Sequence, residues 1–307
     1  MAPASMTGEI ILHHYDTSPF SEKVRLMLGI KHLAWRSVIQ PVIMPKPDLI
    51  PLTGGYRRIP VLQIGADIYC DTQVILAELE RRYPDPAVVR PGDWAVNLWA
   101  DRLWFQTTVA VVFGEIGDSV PEAFKKDREA LSGRPFDTAL MKAAAVPARG
   151  QWRAAAAFIE RGLGDGDFLG GSTPSLGDVA SYMNVWWLGS AARAVREALL
   201  DGQPRTKAWR ERMKALGHGS RSEMPGADAV AAAKATEPEA APAGPPDASA
   251  PAAGSPVTVS ADDYGRDPIA GTLVSATLER VTIARDDPQV GRVHVHFPRA
   301  GYVLSAA

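Results

Sequence analysis

Three short segments place chemically useful side chains at the ends of elements. Ser18 is followed by Pro19, between the apolar run EIILHHY and the segment SEKVRLMLGI. A serine there caps a helix and proline suits the first helical position; Ser to Ala costs about 0.5–2 kcal/mol. The same hydroxyl also carries a proton to give. Donated to a bound anion, it supplies about 1.5–3 kcal/mol, and the helix N-terminus roughly 0.3–1 more. Both roles stay open for Ser18. Ile59-Pro60 opens the run IPVLQI, and a strand that begins with proline is allowed. Asp71-Thr72 precedes TQVILAELERRY and reads as a helix cap.

Other residues read as structural. Ser175 and Asp178 form a capping pair before an apolar run. His13 and His14 are adjacent, so they face opposite sides of a strand and make no metal pair. One Cys, Cys70, excludes an intrachain disulfide, a CxxC pair and a cysteine zinc site; a buried structural thiol is its default. The tryptophans Trp94, Trp99, Trp104, Trp186 and Trp187 are read mostly as core. His294 and His296 share one face of a strand and, without a third ligand, predict an exposed or partner-facing surface.

The elements that must position these groups change character along the chain. Up to Pro84, strands and helices alternate: EIILHHY, SEKVRLMLGI, WRSVI, IPVLQI, ADIYC and TQVILAELERRY follow as β-α-β and then β-β-α, with Gly65 in the hairpin turn. That order predicts a thioredoxin-like domain over 8–85. Beyond Pro86 the pattern is helical: one long helix at WAVNLWADRLWFQTTVAVVFGEI, then PEAFKKDREAL, ALMKAAA, ARGQWRAAAAFIERGL, SLGDVASYMNVWWLGSAARAV and TKAWRERMKAL. An all-helical domain over 91–221 follows. Residues 222–256 hold much of the chain's proline and almost no large apolar side chain, which predicts a flexible linker. Residues 257–307 alternate β-branched and polar positions and predict a small antiparallel β domain.

Composition sets outer bounds. The 307 residues are 46% hydrophobic and 22% charged with a net charge of −2, so nothing global favours nucleic acid or anionic lipid. No apolar run approaches the roughly 20 residues of a membrane helix, and MAPASMTGEI lacks the features of a secretory signal. A soluble, cytoplasmic protein is expected.

From Glu9 to Leu216 the chain resembles the glutathione S-transferases, on SPFSEKVRLML, RRIPVL, Asp71-Thr72 and, more weakly, PSLGDVA. The linker and tail lie outside the resemblance. It implies an α/β thioredoxin-like domain followed by an all-α domain, with glutathione as co-substrate and no resident cofactor. By position Ser18 matches the thiol-activating serine of Ser-type members, with Tyr15 a weaker alternative donor. Pro60 would be cis, with the Ile59 main chain pairing with the peptide and Arg58 with the glycyl carboxylate. Asp71 and Thr72 would hold the γ-glutamyl ammonium and carboxylate. Here Thr72 replaces the more usual serine and keeps the hydroxyl. Phe20, Trp104 and Phe105 are candidates for lining an apolar co-substrate pocket. Serine cannot form a mixed disulfide, which disfavours thiol-disulfide exchange. The resemblance implies conjugation of an electrophilic small molecule, for which detoxification is the expected setting, and a homodimer. A binding or scaffold protein of the same fold, or a glutathione-dependent isomerase, dehalogenase or ether-cleaving enzyme, are the alternatives.

Overall fold

Strand β1 (Ile10–His14) leads into helix α1 (Pro19–Ile30) and back to β2 (Ala34–Ile39), parallel to β1. These are seen in a computed structural model that describes residues 8–307; residues 1–7, most of the segment read for a secretory signal, lie outside the described residues. A single turn, α2 (Ile50–Thr53), precedes the hairpin of β3 (Val61–Ile64) and β4 (Asp67–Cys70), and α3 (Thr72–Arg82) closes the unit. β3 is antiparallel to both β1 and β4, so the strands lie in the order β4-β3-β1-β2. Gly65 sits in the hairpin turn at φ 59°, where a Cβ would be disfavoured. This is the thioredoxin-like arrangement expected.

The second part is helical, as expected, with different breaks. The expected long helix is α4 (Asp93–Trp99), a π-helical stretch Ala100–Trp104, and α5 (Phe105–Ile116). α6 (Glu122–Ser132) follows, and then α7 (Thr138–Leu163) runs unbroken through Pro147, where two helices were predicted. Proline forfeits one interior hydrogen bond; packing against α5 holds the rod together. The two helices approach so closely that a Cβ at Gly114 would stand 2.4 Å from Ala145 Cβ. α8 (Leu176–Ala191), α9 (Arg193–Leu199) and α10 (Pro204–Ala215) complete the bundle, the first two splitting one predicted helix. Ser175 and Asp178 form the predicted reciprocal cap of α8, and Asp178 also accepts from Trp209 Nε1 at 2.7 Å.

The segment read as a flexible linker is ordered, which corrects that expectation. β5 (Ser220–Glu223) adds to β2 in parallel, and α11 (Gly226–Lys234) fully buries Ala229 and Ala233. Gln63 Nε2 donates to the Ala229 carbonyl at 2.8 Å, and Glu239 pairs with Arg82 at 2.7 Å. Alanine is the strongest helix former and its small side chain lets a helix lie close against a sheet. A low-complexity composition therefore packs once a surface is offered.

The tail is not a separate body either. β6 (Pro256–Ala261), β7 (Ile269–Ala276), β8 (Arg280–Asp287), β9 (Gly291–Pro298) and β10 (Tyr302–Ala306) are antiparallel among themselves, as predicted. But β9 pairs in parallel with β4, Ile68 opposite Val295, and fuses everything into one ten-stranded sheet. Its inner face shares a core with the body: Val61, Ile68 and Cys70 pack with Val257, Ile283, Val295 and Phe297. His296 is accordingly buried, correcting the exposed surface predicted for it. It stacks on Tyr69 with centroids 4.5 Å apart, donates to Asp67 Oδ1 at 2.8 Å and accepts from Thr282. His294 beside it donates to the Glu239 carbonyl at 3.1 Å. No helix among the described residues is long and apolar enough to cross a membrane.

Candidate functional site

Ser18 stands where β1 turns into α1, with extended backbone (φ −77°, ψ 122°) and only 2% exposure. Its Oγ accepts from the Ser21 amide at 3.1 Å, so the capping role is real. That bond uses a lone pair; a hydroxyl still has its own proton to donate. The turn is pinned from below by Arg25, whose guanidinium donates to the Asp16 carbonyl at 3.0 Å and pairs with the buried Glu22 at 2.7 Å. Tyr15 lies beside Ser18. Burial pushes its phenol pKa up, against the opposing pull of Arg128, so it stays protonated.

Asp71 adopts φ 86°, a conformation that costs a non-glycine residue about 1–3 kcal/mol and concentrates at functional sites. One of its oxygens accepts from the Gln73 amide at 2.9 Å and caps α3; the other accepts from Tyr302 Oη at 3.1 Å. Thr72 Oγ1 accepts from Lys23 Nζ at 3.1 Å. Lys23 is fully buried and also donates to Asn97 at 2.8 Å and to Asp101 at 2.7 Å, linking α1, α3, α4 and the π-helical stretch. The Ile59–Pro60 bond is cis, and the β3 ladder begins at Val61, which leaves Ile59 outside it. Arg58 meets Asp263 of the tail at 2.6 Å, while neighbouring Arg57 pairs with Asp127 of α6 at 3.1 Å.

Of the three aromatics proposed to line a pocket, two meet. Phe20 and Phe105, from different domains, contact edge to face at 4.7 Å, and Phe105 stacks on Trp187. Trp104 does not join them. It is 1% exposed and packs between Trp99 and Trp152, so it has no surface for a small molecule, a correction to its assignment. Trp104 lies at the end of the π-helical stretch and belongs to the bundle core. Trp94, Trp99, Trp186 and Trp187 pack against that core partly buried.

Several residues near the site carried no sequence signal. Lys46, in MPKPD, is buried, donates to the Pro41 carbonyl and lies over the Tyr15 ring. Burial and Arg128 push its pKa down to about 8. Arg128 arrives from α6, and Asp263, Tyr264 and Tyr302 arrive from the tail. Only the fold brings them there. A cleft of about 410 Å³ lined by Trp35, Arg36, Tyr83 and Ser222 opens at the β1–β2–β5 side and contains none of the candidate residues.

Comparisons with known proteins agree with this frame. The glutathione S-transferase N-terminal domain matches residues 12–87 and the C-terminal domain residues 113–212. A GST-like protein from Pseudomonas syringae is 36% identical, and its crystal structure matches 98% of this chain and 100% of that one with a TM-score of 0.80. Glutathione S-transferase U7 of Arabidopsis thaliana is 23% identical over 194 residues, 61% of this chain and 74% of that protein. A glutathione S-transferase from Rhodospirillum rubrum shares the fold at 19% identity, covering 67% of this chain and 88% of its own, with a TM-score of 0.54. The chain belongs to the glutathione S-transferase family. The first of these matches takes in the added tail, whereas the second leaves about a third of this chain unmatched.

Proposed function

We propose that the chain is a glutathione-dependent transferase in which Ser18 stabilises the glutathione thiolate for attack on an electrophilic carbon. The observation that carries this is the state of the Ser18 hydroxyl. It caps α1 through a lone pair, and a hydroxyl so engaged can still donate its proton, at the helix start of a family member. A thiolate placed there also meets the positive end of α1. The carbon–sulfur bond forms as the bond from carbon to its leaving group breaks, and the thiol proton goes to solvent. Asp71 and the start of α3 would take the γ-glutamyl end, and Ile59 and Arg58 the peptide and glycyl end. The paired rings of Phe20 and Phe105 would form the apolar wall against which the electrophile sits. A homodimer belongs to this reading, and a sedimentation mass of one chain would remove it.

The test is the ultraviolet thiolate band of bound glutathione, titrated on wild type, Ser18→Thr and Ser18→Ala. Wild type and Ser18→Thr should lower the thiol pKa by about one to three units, and Ser18→Ala should return most of that shift. An unchanged shift in Ser18→Ala with an intact fold would sink the serine assignment. Calorimetry showing no glutathione binding at millimolar concentration would favour a scaffold role on the same fold.

A further inference from the structure

The two charged groups assigned to the ends of glutathione are not free. Both are already held by the tail. Asp263 accepts from Arg58 Nη2 at 2.6 Å, and its other oxygen lies 3.8 Å from Arg102 Nε. Asp262 completes the group, pairing with Arg102 at 2.7 Å. Two arginines and two carboxylates thus balance without any ligand. The turn that carries them is fixed in place. The Gly265 amide donates to the Leu131 carbonyl of α6 at 3.2 Å, and Gly265 takes φ 57° with no room for a Cβ, which would stand 2.7 Å from Leu131 and 3.4 Å from Arg58 Nε. Tyr264 lies against the Arg58 guanidinium at 5.7 Å.

The two ends differ in what a ligand would meet. At Asp71, Tyr302 occupies one carboxylate oxygen, but a carboxylate has about four acceptor positions and can still take an ammonium. At Arg58, an incoming carboxylate must displace Asp263 or share the guanidinium with it, and either leaves the cluster with a surplus negative charge. Like charges at such distances are repelled.

We propose that Asp263 is a specificity-determining residue that occupies Arg58 in place of a ligand carboxylate, so that the site favours γ-glutamyl thiols whose far end is uncharged. This deepens the glutathione reading and rests on its placement of the glycyl end at Arg58. The chemistry selected is an ammonium and carboxylate at one end, a thiol in the middle, and a neutral amide or ester at the other.

Isothermal calorimetry with glutathione and with its glycyl monoethyl ester, on the full chain, tests it. Wild type should bind the ester more tightly than glutathione by about threefold or more. Asp263→Asn, which keeps the shape and removes the charge, should tighten glutathione by about tenfold, leave the ester within twofold, and so reverse the preference. Wild type preferring glutathione to the ester overturns the proposal without any variant. So does glutathione affinity unchanged in a folded Asp263→Asn; in both cases the glutathione site itself stands. Failure of both ligands to bind wild type and variant alike at millimolar concentration removes the underlying reading and this one together.

Discussion

Lys23 shows how much one buried side chain can hold. Its ammonium lies at the contact of four elements and faces Thr72, Asn97 and Asp101. Burial pushes the Asp101 carboxyl up, and Lys23 pulls it back toward the charged form. Lys23→Met should therefore cost about 3–5 kcal/mol, because it leaves the mostly buried Asp101 carboxylate without its cation. Lys23→Met combined with Asp101→Leu should lose less than the single variant, as read from urea unfolding midpoints. A double variant as unstable as the sum of both singles would contradict this. His13 and His14 make a second residue-scale case. Burial holds His13 down to about 4 and His14 down to about 3, against an ordinary value of 6.5. Both are neutral and hydrogen-bonded, His13 to Gln63 at 2.9 Å and His14 to Ser37 at 3.0 Å. The unfolded chain takes up these protons near pH 6.5 and the native chain does not. Stability should thus be level above about pH 7 and fall as pH drops from about 6.5 toward 4, by up to about 1.4 kcal/mol per pH unit for each histidine. Urea midpoints at pH 8, 6 and 5 check the slope.

At the scale of elements, the surprises lie where composition and environment disagree. α11 has neither large apolar residues nor a side-chain cap, yet buries Ala229 and Ala233. Limited proteolysis should spare residues 226–239 under native conditions, where a flexible linker would be cut first. Ala233→Phe should overpack this contact and cost about 1–3 kcal/mol in thermal or urea unfolding. The thioredoxin-like order was legible because period-2 and period-3.6 patterns need only local sequence. Ser18, Pro60 and Asp71 were legible for the same reason: each sits at an element boundary, and boundaries carry caps and prolines. The union of α7 across Pro147 was not. A proline in a run of alanines reads as a break, and only the close seat on α5 outweighs that preference. Trp104 carried two expectations, core and pocket lining, and the structure places it in the core, at the end of the π-helical stretch.

At the scale of the whole molecule, the tail is structural as well as chemical. β9 covers the edge of β4, whose unpaired N–H and C=O groups would otherwise invite other chains. Deleting residues 256–307 should therefore yield an aggregating protein, visible by light scattering, rather than a soluble two-domain remainder. A stable, monodisperse truncation would show that the body carries its own edge protection. All 8 tryptophans lie between Trp35 and Trp209, so their fluorescence reports the body alone. Because body and tail share a core around Ile68 and Phe297, fluorescence and far-ultraviolet circular dichroism should report one coincident unfolding transition. An earlier dichroism transition would mark the tail as an independent unit.

What the sequence determined by itself was the local grammar: two strand-and-helix patterns in family order, a capped helix start at Ser18, an Asp-Thr cap at Asp71, and a β-rich end. These depend on residues within a turn or two of one another. The tertiary structure alone decided what those groups face. Asp263 lies 205 positions from Arg58 and Tyr302 lies 231 from Asp71, and no periodicity links residues so far apart. The pairing of β9 with β4 brings them together. It does so because a sheet edge and an apolar face at β4 are satisfied more fully by the chain's own tail than by water.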